Sequence, residues 1–354
     1  MAIVRPKPKT FPLWFQNENI NANYLDEYIR CLENLPVGTQ TTDVSYIPVT
    51  AGSEKWIGGA MNADGVIYCA PHSSTTILKI DTNTDTVSEI GSFVGSEKYG
   101  GGVLANNGKI YFIPKSAAEV LVIDPSDDST YTFGNGDFTA GSNFFIGGCL
   151  DKTGTVIYCA PFNGSAFLKI DTKTDTVTTF AFTGHFGNGS LAPNGDLYFP
   201  PATATRAVKV DTSTDTATLI GSTYVGSHKW YSSVVSKEGN VYGSATSQAT
   251  MIKIDTTDDT TSTIVSNNVR WGGCMGMDGK LYWSPGTTNV TALDTTDDSV
   301  VEITVNTGGS NAGILLAPNG KLYTIPRSAP NVAVIGTEIP TDKNLSVSRF
   351  NNKL

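Results

Sequence analysis

Apolar residues in this chain fall in short runs, and glycine, asparagine, aspartate or threonine bounds each run. Residues 56–90 contain four of them, WIGGAM, VIYCA, TILKI and TVSEI. Short runs rich in β-branched and aromatic residues, separated by turn residues, predict β-strands. The Ala-Asp-Gly turn after the first run predicts a tight hairpin, because glycine accepts the positive φ of such turns. A proline ends the second run by removing a ladder donor. The pattern therefore predicts a four-stranded antiparallel unit.

The same unit returns seven times along the chain. Its clearest landmark is a glycine turn followed by an apolar residue and a tyrosine, as in DGVIYCAP, NGKIYFIP and NGKLYTIP. A repeat of 40 to 47 residues built from short strands is the signature of propeller blades. We therefore predict an all-β, seven-bladed β-propeller with four antiparallel strands in each blade. Successive copies of the tyrosine are 40 to 47 residues apart, at Tyr68, Tyr111, Tyr158, Tyr198, Tyr242, Tyr282 and Tyr323.

The seventh repeat has no outer strand of its own after NVAVIG, residues 331–336. The segment DVSYIPVTAGSEKW from Asp43 is similar to TVSEIGSFVGSEKY from Thr86, where an outer strand precedes the next inner strand. We therefore predict that residues Asp43 to Val49 supply the missing strand and complete the blade that begins near Gly308. Such a closure leaves no free sheet edge in the ring.

One repeated turn begins like a calcium-binding loop. In LKIDTNTDTVSEIG, the side chains of Asp81, Asn83 and Asp85 alternate with threonines. A calcium loop of this kind also needs glycine at its sixth position and a bidentate glutamate at its twelfth, where Thr86 and Ser92 stand instead. The alternative is a hairpin between the third and fourth strands, in which short Asx side chains bind their own backbone. We predict the hairpin.

Two segments lie outside the repeat. They divide the chain into an N-terminal extension (residues 1–42), a propeller (43–336) and a polar C-terminal tail (337–354). In the extension, apolar residues at i, i+4 and i+8 indicate one short helix that ends at the Pro-Val-Gly from residue 36. The preceding TFPLWF is an aromatic patch. We expect the side chains of both to bind a partner protein: Phe11, Trp14, Phe15, Tyr24, Tyr28 and Leu32.

Composition narrows the function classes. The net charge is −9 and the isoelectric point is near 4.8. These values argue against binding of nucleic acid, because a nucleic-acid-binding surface needs clustered basic residues. No apolar run has the length of a membrane-spanning helix, and the N-terminus has no uninterrupted apolar segment typical of a secretory signal. Five irregularly spaced cysteines without a CxxC pair indicate buried strand residues. With only three histidines besides, we predict neither a metal nor a cofactor.

A candidate binding surface lies where each inner strand begins. Six of the seven repeats place an aromatic residue there, and five precede it with a basic or potentially basic residue. Either the aromatics wedge between blades while the cations reach solvent, or they form a ring of stacking surfaces around the channel mouth, suited to an anionic carbohydrate. The residues of this ring are Lys55, Trp56, Lys98, Tyr99, Phe145, His185, Phe186, Lys229, Trp230, Arg270 and Trp271.

The repeat pairs Gly-x-[Ile/Leu/Val]-Tyr with [Leu/Val]-x-[Ile/Val]-Asp-Thr-x-Thr-Asp-Thr, and it resembles seven-bladed propellers of the YVTN and quinoprotein-like kind. The form GGVLANNGKIYFIP is most similar to repeat propellers of bacteriophages, large DNA viruses and some microbial eukaryotes. The resemblance extends over residues 43–336 and implies the fold. It carries over no functional residues, because the WD, kelch and calcium-dependent lactonase signatures are absent and propellers host many activities.

Three functional hypotheses follow. The first is a non-enzymatic virion component, a tail, fibre or decoration protein that its N-terminal extension anchors to other virion proteins, with host-surface glycan as a further ligand. The viral resemblance, the aromatic extension and the start without a secretory signal favour it. The second is a channel-face enzyme such as a lyase, and the third is a free lectin-like module. We expect the chain in the virion, or otherwise in the cytoplasm. No Ser–His–acid set is assembled by the motifs, so we assign no catalytic residue.

Overall fold

The computed structural model of the chain describes residues 43–138, 144–266, 271–286 and 288–336. The predicted helix, the aromatic patch and Arg270 lie outside these residues. Within them every regular element is a β-strand, and the strands form seven four-stranded antiparallel sheets. The seven-bladed propeller predicted from the repeat is therefore confirmed. The described residues include no helix of the length and apolarity that a membrane span requires.

Each of the first six blades is a meander of four consecutive strands. Blade 1 contains β2 (Trp56–Met61), β3 (Val66–Pro71), β4 (Ile77–Asp81) and β5 (Thr86–Ile90). Blade 2 contains β6 (Tyr99–Leu104), β7 (Ile110–Pro114), β8 (Val120–Asp124) and β9 (Ser129–Phe133). Blade 3 contains β10 (Cys149–Leu150), β11 (Val156–Cys159), β12 (Ala166–Asp171) and β13 (Thr176–Ala181). Blade 4 contains β14 (Ser190–Leu191), β15 (Leu197–Phe199), β16 (Ala207–Asp211) and β17 (Thr216–Ile220). Blade 5 contains β18 (Trp230–Val235), β19 (Val241–Ala245), β20 (Thr250–Ile254) and β21 (Thr261–Val265). Blade 6 contains β22 (Trp271–Met275), β23 (Leu281–Ser284), β24 (Asn289–Asp294) and β25 (Ser299–Thr304).

Blade 7 joins the two ends of the ring. It contains β26 (Asn311–Leu316), β27 (Leu322–Pro326), β28 (Asn331–Ile335) and, as its outer strand, β1 (Val44–Pro48). Strand β1 pairs antiparallel with β28 along its whole length, and the N–H of Gly336 donates to the carbonyl oxygen of Asp43 at 3.0 Å. The closure predicted from the sequence similarity of residues 43–49 is confirmed.

The core lies between the blades. Inner strands such as β2 and β6 are buried over their whole length, whereas the outer strand β5 is mostly exposed. One cluster packs Ile67 and Leu78 of blade 1 against Tyr323 and Val332 of blade 7. The four cysteines that the structure describes are buried in strands, as expected. The sheets are thus apolar on both faces near the axis, which explains the uninterrupted apolar runs of the sequence.

The repeated tyrosine and the repeated aspartate turn form one inter-blade contact. The hydroxyl of Tyr158 in blade 3 donates to Asp215 of blade 4 at 2.7 Å, and Lys169 Nζ donates to the other carboxylate oxygen at 2.5 Å. Asp215 has φ +55°, a conformation that aspartate tolerates better than most residues. The same tyrosine–aspartate hydrogen bond recurs as Tyr68–Asp128, Tyr111–Asp175, Tyr198–Asp259 and Tyr323–Asp85.

Blade 6 departs from this pattern for a topological reason. Its tyrosine, Tyr282, donates to Asp278 of its own blade at 2.7 Å. Blade 7 has no hairpin between its third and fourth strands, because β1 supplies the fourth strand from the other end of the chain. Among the described residues, no aspartate turn therefore lies where Tyr282 would need one.

The turn with calcium-like spacing is a structural hairpin. Asp81 accepts the backbone N–H of Asn83 at 2.9 Å, which is the Asx turn expected from the sequence. Asp85, at the other end of the motif, accepts the hydroxyl of Tyr323 and the ammonium of Lys321 from blade 7. The first aspartate therefore shapes the hairpin and the last one joins two blades.

Candidate functional site

The loops that lead into the inner strands meet the loops that follow the second strands at one face of the ring, here called the mouth face. A relay of backbone hydrogen bonds connects them. The N–H of Lys55 donates to Arg327 of blade 7, and the N–H of His72 donates to Lys55. In the same way the N–H of Lys98 donates to His72, and the N–H of Lys115 donates to Lys98. These bonds of 2.8–3.0 Å fix the loops of blades 7, 1 and 2 to one another.

Five of the predicted ring aromatics are buried between blades. Trp230 is 1% exposed and packs against Tyr198 of blade 4 and Ile252 of blade 5. Its indole N–H donates to the carbonyl oxygen of Thr250 at 2.8 Å. In this conformation these rings offer no open face to a ligand, and the geometry favours the wedge interpretation. The five are Trp56, Tyr99, Phe145, Phe186 and Trp230.

The lysines before these aromatics are buried as well. Lys98 Nζ donates to the carbonyl oxygens of His72, Ser74 and Gly95. Lys55 Nζ donates to a carbonyl of blade 7 at 2.7 Å, and Lys229 Nζ donates to two carbonyls. Burial lowers the pKa of all three. The ammonium groups therefore hold loops together instead of facing solvent, which the sequence pattern did not indicate.

The other two ring residues that the structure describes, His185 and Trp271, follow neither pattern. The carbonyl of His185 accepts backbone N–H groups from residues 202–204, so its loop is held by main-chain contacts. Trp271 is only half-buried, and it lies against Tyr231 with ring centres 5.3 Å apart. In β22 the pairing passes from Trp271 directly to Gly273, one residue sooner than in blades 1, 2, 5 and 7. Because one residue instead of two is left out of the pairing, Trp271 does not occupy the wedge position of the other aromatics.

Apolar side chains at or next to the inner strands of most blades pack against one another. They form one cluster in which the ring of Tyr231 packs edge-on against that of Phe162 at 5.1 Å. Gly187 permits this close approach of inner strands, because a Cβ there would lie 2.6 Å from the carbonyl oxygen of Trp230. We call this cluster the axial plug: Ile57, Ile146, Phe162, Ala202, Tyr231, Trp271 and Ala312.

Beside the axial plug lie five ionisable side chains from blades 7, 1 and 2, here called the charged arc: Glu54, His72, Glu97, Lys115 and Arg327. Arg327 forms an ion pair with Glu54, and its guanidinium carbon lies 5.3 Å from the centre of the Trp271 ring. Lys115 Nζ lies 2.8 Å from His72 Nε2 and 3.4 Å from a carboxylate oxygen of Glu97. The arc therefore combines two acids with three bases at the mouth face.

His72 is the most buried member of the charged arc. Its side chain has no solvent exposure, and its Nδ1 lies 3.1 Å from the carbonyl oxygen of Glu54. Burial and the nearby Lys115 ammonium lower the pKa of His72 to about 3, so the imidazole is neutral. Since Nδ1 faces a carbonyl acceptor, Nδ1 carries the proton and Nε2 accepts from Lys115.

A cavity of about 530 Å³ lies farther along the same face, beside blade 3. Phe138, Phe144 and Phe145 form its apolar side, and the rings of Phe138 and Phe145 meet edge to face at 6.3 Å. The cavity has the size range of small-ligand sites. Among the described residues, the polar side chains that line it are those of Asp137, Asn163, Ser165 and Thr179.

The cavity is built from two loops that hydrogen bonds hold in place. The N–H of Phe144 donates to the carbonyl of Lys115 at 2.8 Å, and the N–H of Phe162 donates to the carbonyl of Phe144 at 2.8 Å. Gly164 lets the Phe144 ring approach, since a Cβ at this position would lie 3.1 Å from the ring. These contacts connect the cavity to both the charged arc and the axial plug.

Comparison by sequence with protein families gives no match, and comparison with curated proteins gives none either. Comparison by structure shows the fold alone. A streptogramin B lyase is similar with a TM-score of 0.70 and 12% identity, over 83% of this chain and 97% of that one. A catalytically inactive histidine-to-alanine variant of virginiamycin B lyase from Staphylococcus aureus, with quinupristin, is similar with a TM-score of 0.67 and 12% identity, over 83% and 99%. Kuenenia stuttgartiensis hydrazine synthase is similar with a TM-score of 0.63 and 15% identity, over 82% and 98%.

These comparisons support the seven-bladed propeller fold, whose structural neighbours include lyases of streptogramin B and virginiamycin B. They do not support the viral character that the repeat suggested.

The sequence reasoning also missed the charged arc, although a signal was present. The residue after the proline that ends the second strand is basic in three neighbouring blades: Arg327, His72 and Lys115.

Proposed function

We propose that this propeller is a non-enzymatic recognition module that binds a surface carbohydrate in the cavity beside blade 3. The cavity carries the proposal, because it combines three phenylalanine rings with carboxylate, amide and hydroxyl groups. Sugar rings offer an apolar face to aromatics and hydroxyl groups to such polar side chains. The one charged side chain along its described lining is Asp137, which favours a neutral or amino-bearing sugar over the acidic sugar expected from the sequence.

Glycan-array screening, followed by calorimetry with the best ligand, tests this proposal. Phe144 is partly buried at the cavity wall, so Phe144→Ala should weaken binding about ten-fold, or about 1.4 kcal/mol, through the lost stacking surface. The matched control is Phe93→Ala, since Phe93 is a partly buried phenylalanine in the corresponding loop before blade 2. An array without ligands, or an equal effect of both substitutions, would refute the proposal.

The setting of this module is proposed from the sequence. The aromatic patch and helix pattern of residues 1–42 favour attachment to another protein, and a virus particle is the assembly we propose. A chain lacking residues 1–42 retains β1, so it should fold and bind glycan like the full chain. It should no longer co-purify with particles. Retained association of the shortened chain with particles would contradict an anchoring role.

A channel-face lyase is the second candidate, and the specific observation in its favour is the neutral His72 next to Lys115. A lyase needs a proton-transfer group, and lyases are among the proteins with a similar fold. Mass spectrometry of quinupristin incubated with the chain separates the candidates. A recognition module leaves the compound unchanged, whereas a cleaved product that His72→Ala abolishes would favour the lyase.

A further inference from the structure

The charged arc contains a set of side chains with the composition of a metal centre. Among the residues described, Glu54, His72 and Glu97 each bring one ligand atom to within 4.8 Å of the other two. They come from two consecutive loops before inner strands and from the loop after β3. Two carboxylate oxygens and one imidazole nitrogen suit zinc and related divalent cations.

The orientation of His72 points independently to a cation. Its imidazole has no solvent exposure, and its Nδ1–H donates to the carbonyl oxygen of Glu54. Histidines that bind metals usually donate their other ring N–H to such an acceptor, which fixes the ring and its tautomer. The remaining lone pair, on Nε2, faces the Lys115 ammonium, which also contacts Glu97.

The ammonium group of Lys115 occupies a position beside this cluster. The ammonium of Lys115 lies 2.8 Å from His72 Nε2 and 3.4 Å from Glu97 Oε2. Its side chain is 13% exposed and reaches the cluster on a flexible four-carbon stem. Because Lys115 lies in the loop after β7, we expect that its ammonium can move into solvent without rearrangement of the strands. The imidazole and both carboxylates would then remain close to one another.

We propose that Glu54, His72 and Glu97 form a binding site for a divalent transition-metal cation, and that the Lys115 ammonium holds this site in the metal-free chain. Two carboxylates at this separation repel each other unless positive charge lies near them. Arg327 neutralises Glu54, and the Lys115 ammonium supplies the positive charge beside His72 and Glu97. A bound cation would replace the Lys115 ammonium as that positive charge. The site is separate from the cavity beside blade 3 and does not depend on carbohydrate binding.

Zinc titration of the full chain by calorimetry, with Co²⁺ absorption as a second readout, tests the proposal. Lys115→Met removes the competing ammonium while keeping the length of the side chain, so zinc should bind at least ten-fold more tightly than to the unmodified chain. Adding Glu97→Gln to that variant should reverse the gain by ten-fold or more. Glu97 is partly exposed, so this change should leave the fold intact, as circular dichroism can verify.

His228→Gln is the matched control, because His228 is an exposed histidine of the same face outside the cluster. It should leave the affinity for zinc unchanged. Unchanged affinity in Lys115→Met would overturn the proposal, and so would tight binding that survives Glu97→Gln. A loss of zinc binding in His228→Gln would likewise refute it, since the metal would then bind at another place. None of these outcomes changes the expectation for the glycan cavity.

Discussion

Replacement of Trp230 by alanine discriminates between a ligand-stacking ring and an inter-blade wedge. The side chain is 1% exposed and packs among residues of blades 4 and 5. Its indole N–H donates to Thr250, and the ring of Tyr224 meets it edge to face at 5.0 Å. Every face of the indole is therefore covered by protein, and its removal should leave a cavity between two blades.

The expected loss is about 3–5 kcal/mol in the free energy of unfolding, as for other buried tryptophans replaced by alanine. About 1 kcal/mol of it comes from the hydrogen bond to Thr250. Trp230→Phe keeps most of the buried volume and should cost roughly 1–2 kcal/mol. Trp271 is half-buried on the axial plug, so Trp271→Ala should be milder than Trp230→Ala.

Urea unfolding followed by circular dichroism measures these differences, and calorimetry with the array-selected glycan measures binding. We expect Trp230→Ala to lower the stability and to leave the affinity of the folded protein unchanged. A stability loss below about 1 kcal/mol together with weakened glycan binding would refute the wedge assignment.

Three further predictions concern the repeated contacts. Tyr198→Phe removes the hydroxyl that donates to Asp259 at 2.9 Å, so urea unfolding should show a loss of about 1.5–3 kcal/mol; an unchanged stability would show that this contact contributes nothing. Although burial acts in the opposite direction, hydrogen bonds from Lys169 and Tyr158 lower the pKa of Asp215. The contact therefore stabilises the fold above about pH 4 and loses this contribution as the pH falls further. An acid titration of Asp215→Asn should accordingly fall less steeply than that of the unmodified chain, and parallel curves would contradict the assignment. Calcium added to metal-free protein should leave the melting temperature unchanged, because the first aspartates of the repeated turns bind their own backbone; a rise would overturn the structural reading of these turns.

The architecture was predictable because each blade repeats the same local signals. Glycine turns, strand-ending prolines and aspartate hairpins recur at nearly constant spacing, and they act within a few residues of one another. Even the closure by β1 was predictable, since residues 43–49 resemble the outer strands of other blades. The first aspartate of each hairpin was assigned correctly for the same reason, because its hydrogen-bond acceptor role is local.

Contacts between blades were beyond the reach of the sequence pattern. Asp85 bonds with Tyr323, more than two hundred residues away, so no local signal connects them. The buried lysines were expected in solvent because a cation at a loop end is usually hydrated; here backbone carbonyls of a neighbouring loop replace the water. Trp271 was grouped with the other ring aromatics because the alignment of repeats did not reveal that its strand lacks one residue before the regular pairing.

The pairing of β1 with β28 sets a schedule for synthesis and folding. Strand β1 is synthesised before the six blades that follow it, whereas its partner begins only at residue 331. At typical translation rates of about 5–20 residues per second, β1 waits on the order of 15–60 s with its edge groups unpaired. Six blades can assemble by short-range pairing meanwhile, and the last junction has the longest loop to close. A nascent chain arrested before residue 331 should therefore expose the unpaired backbone groups of β1. We expect the chain to be most prone to aggregation during this interval.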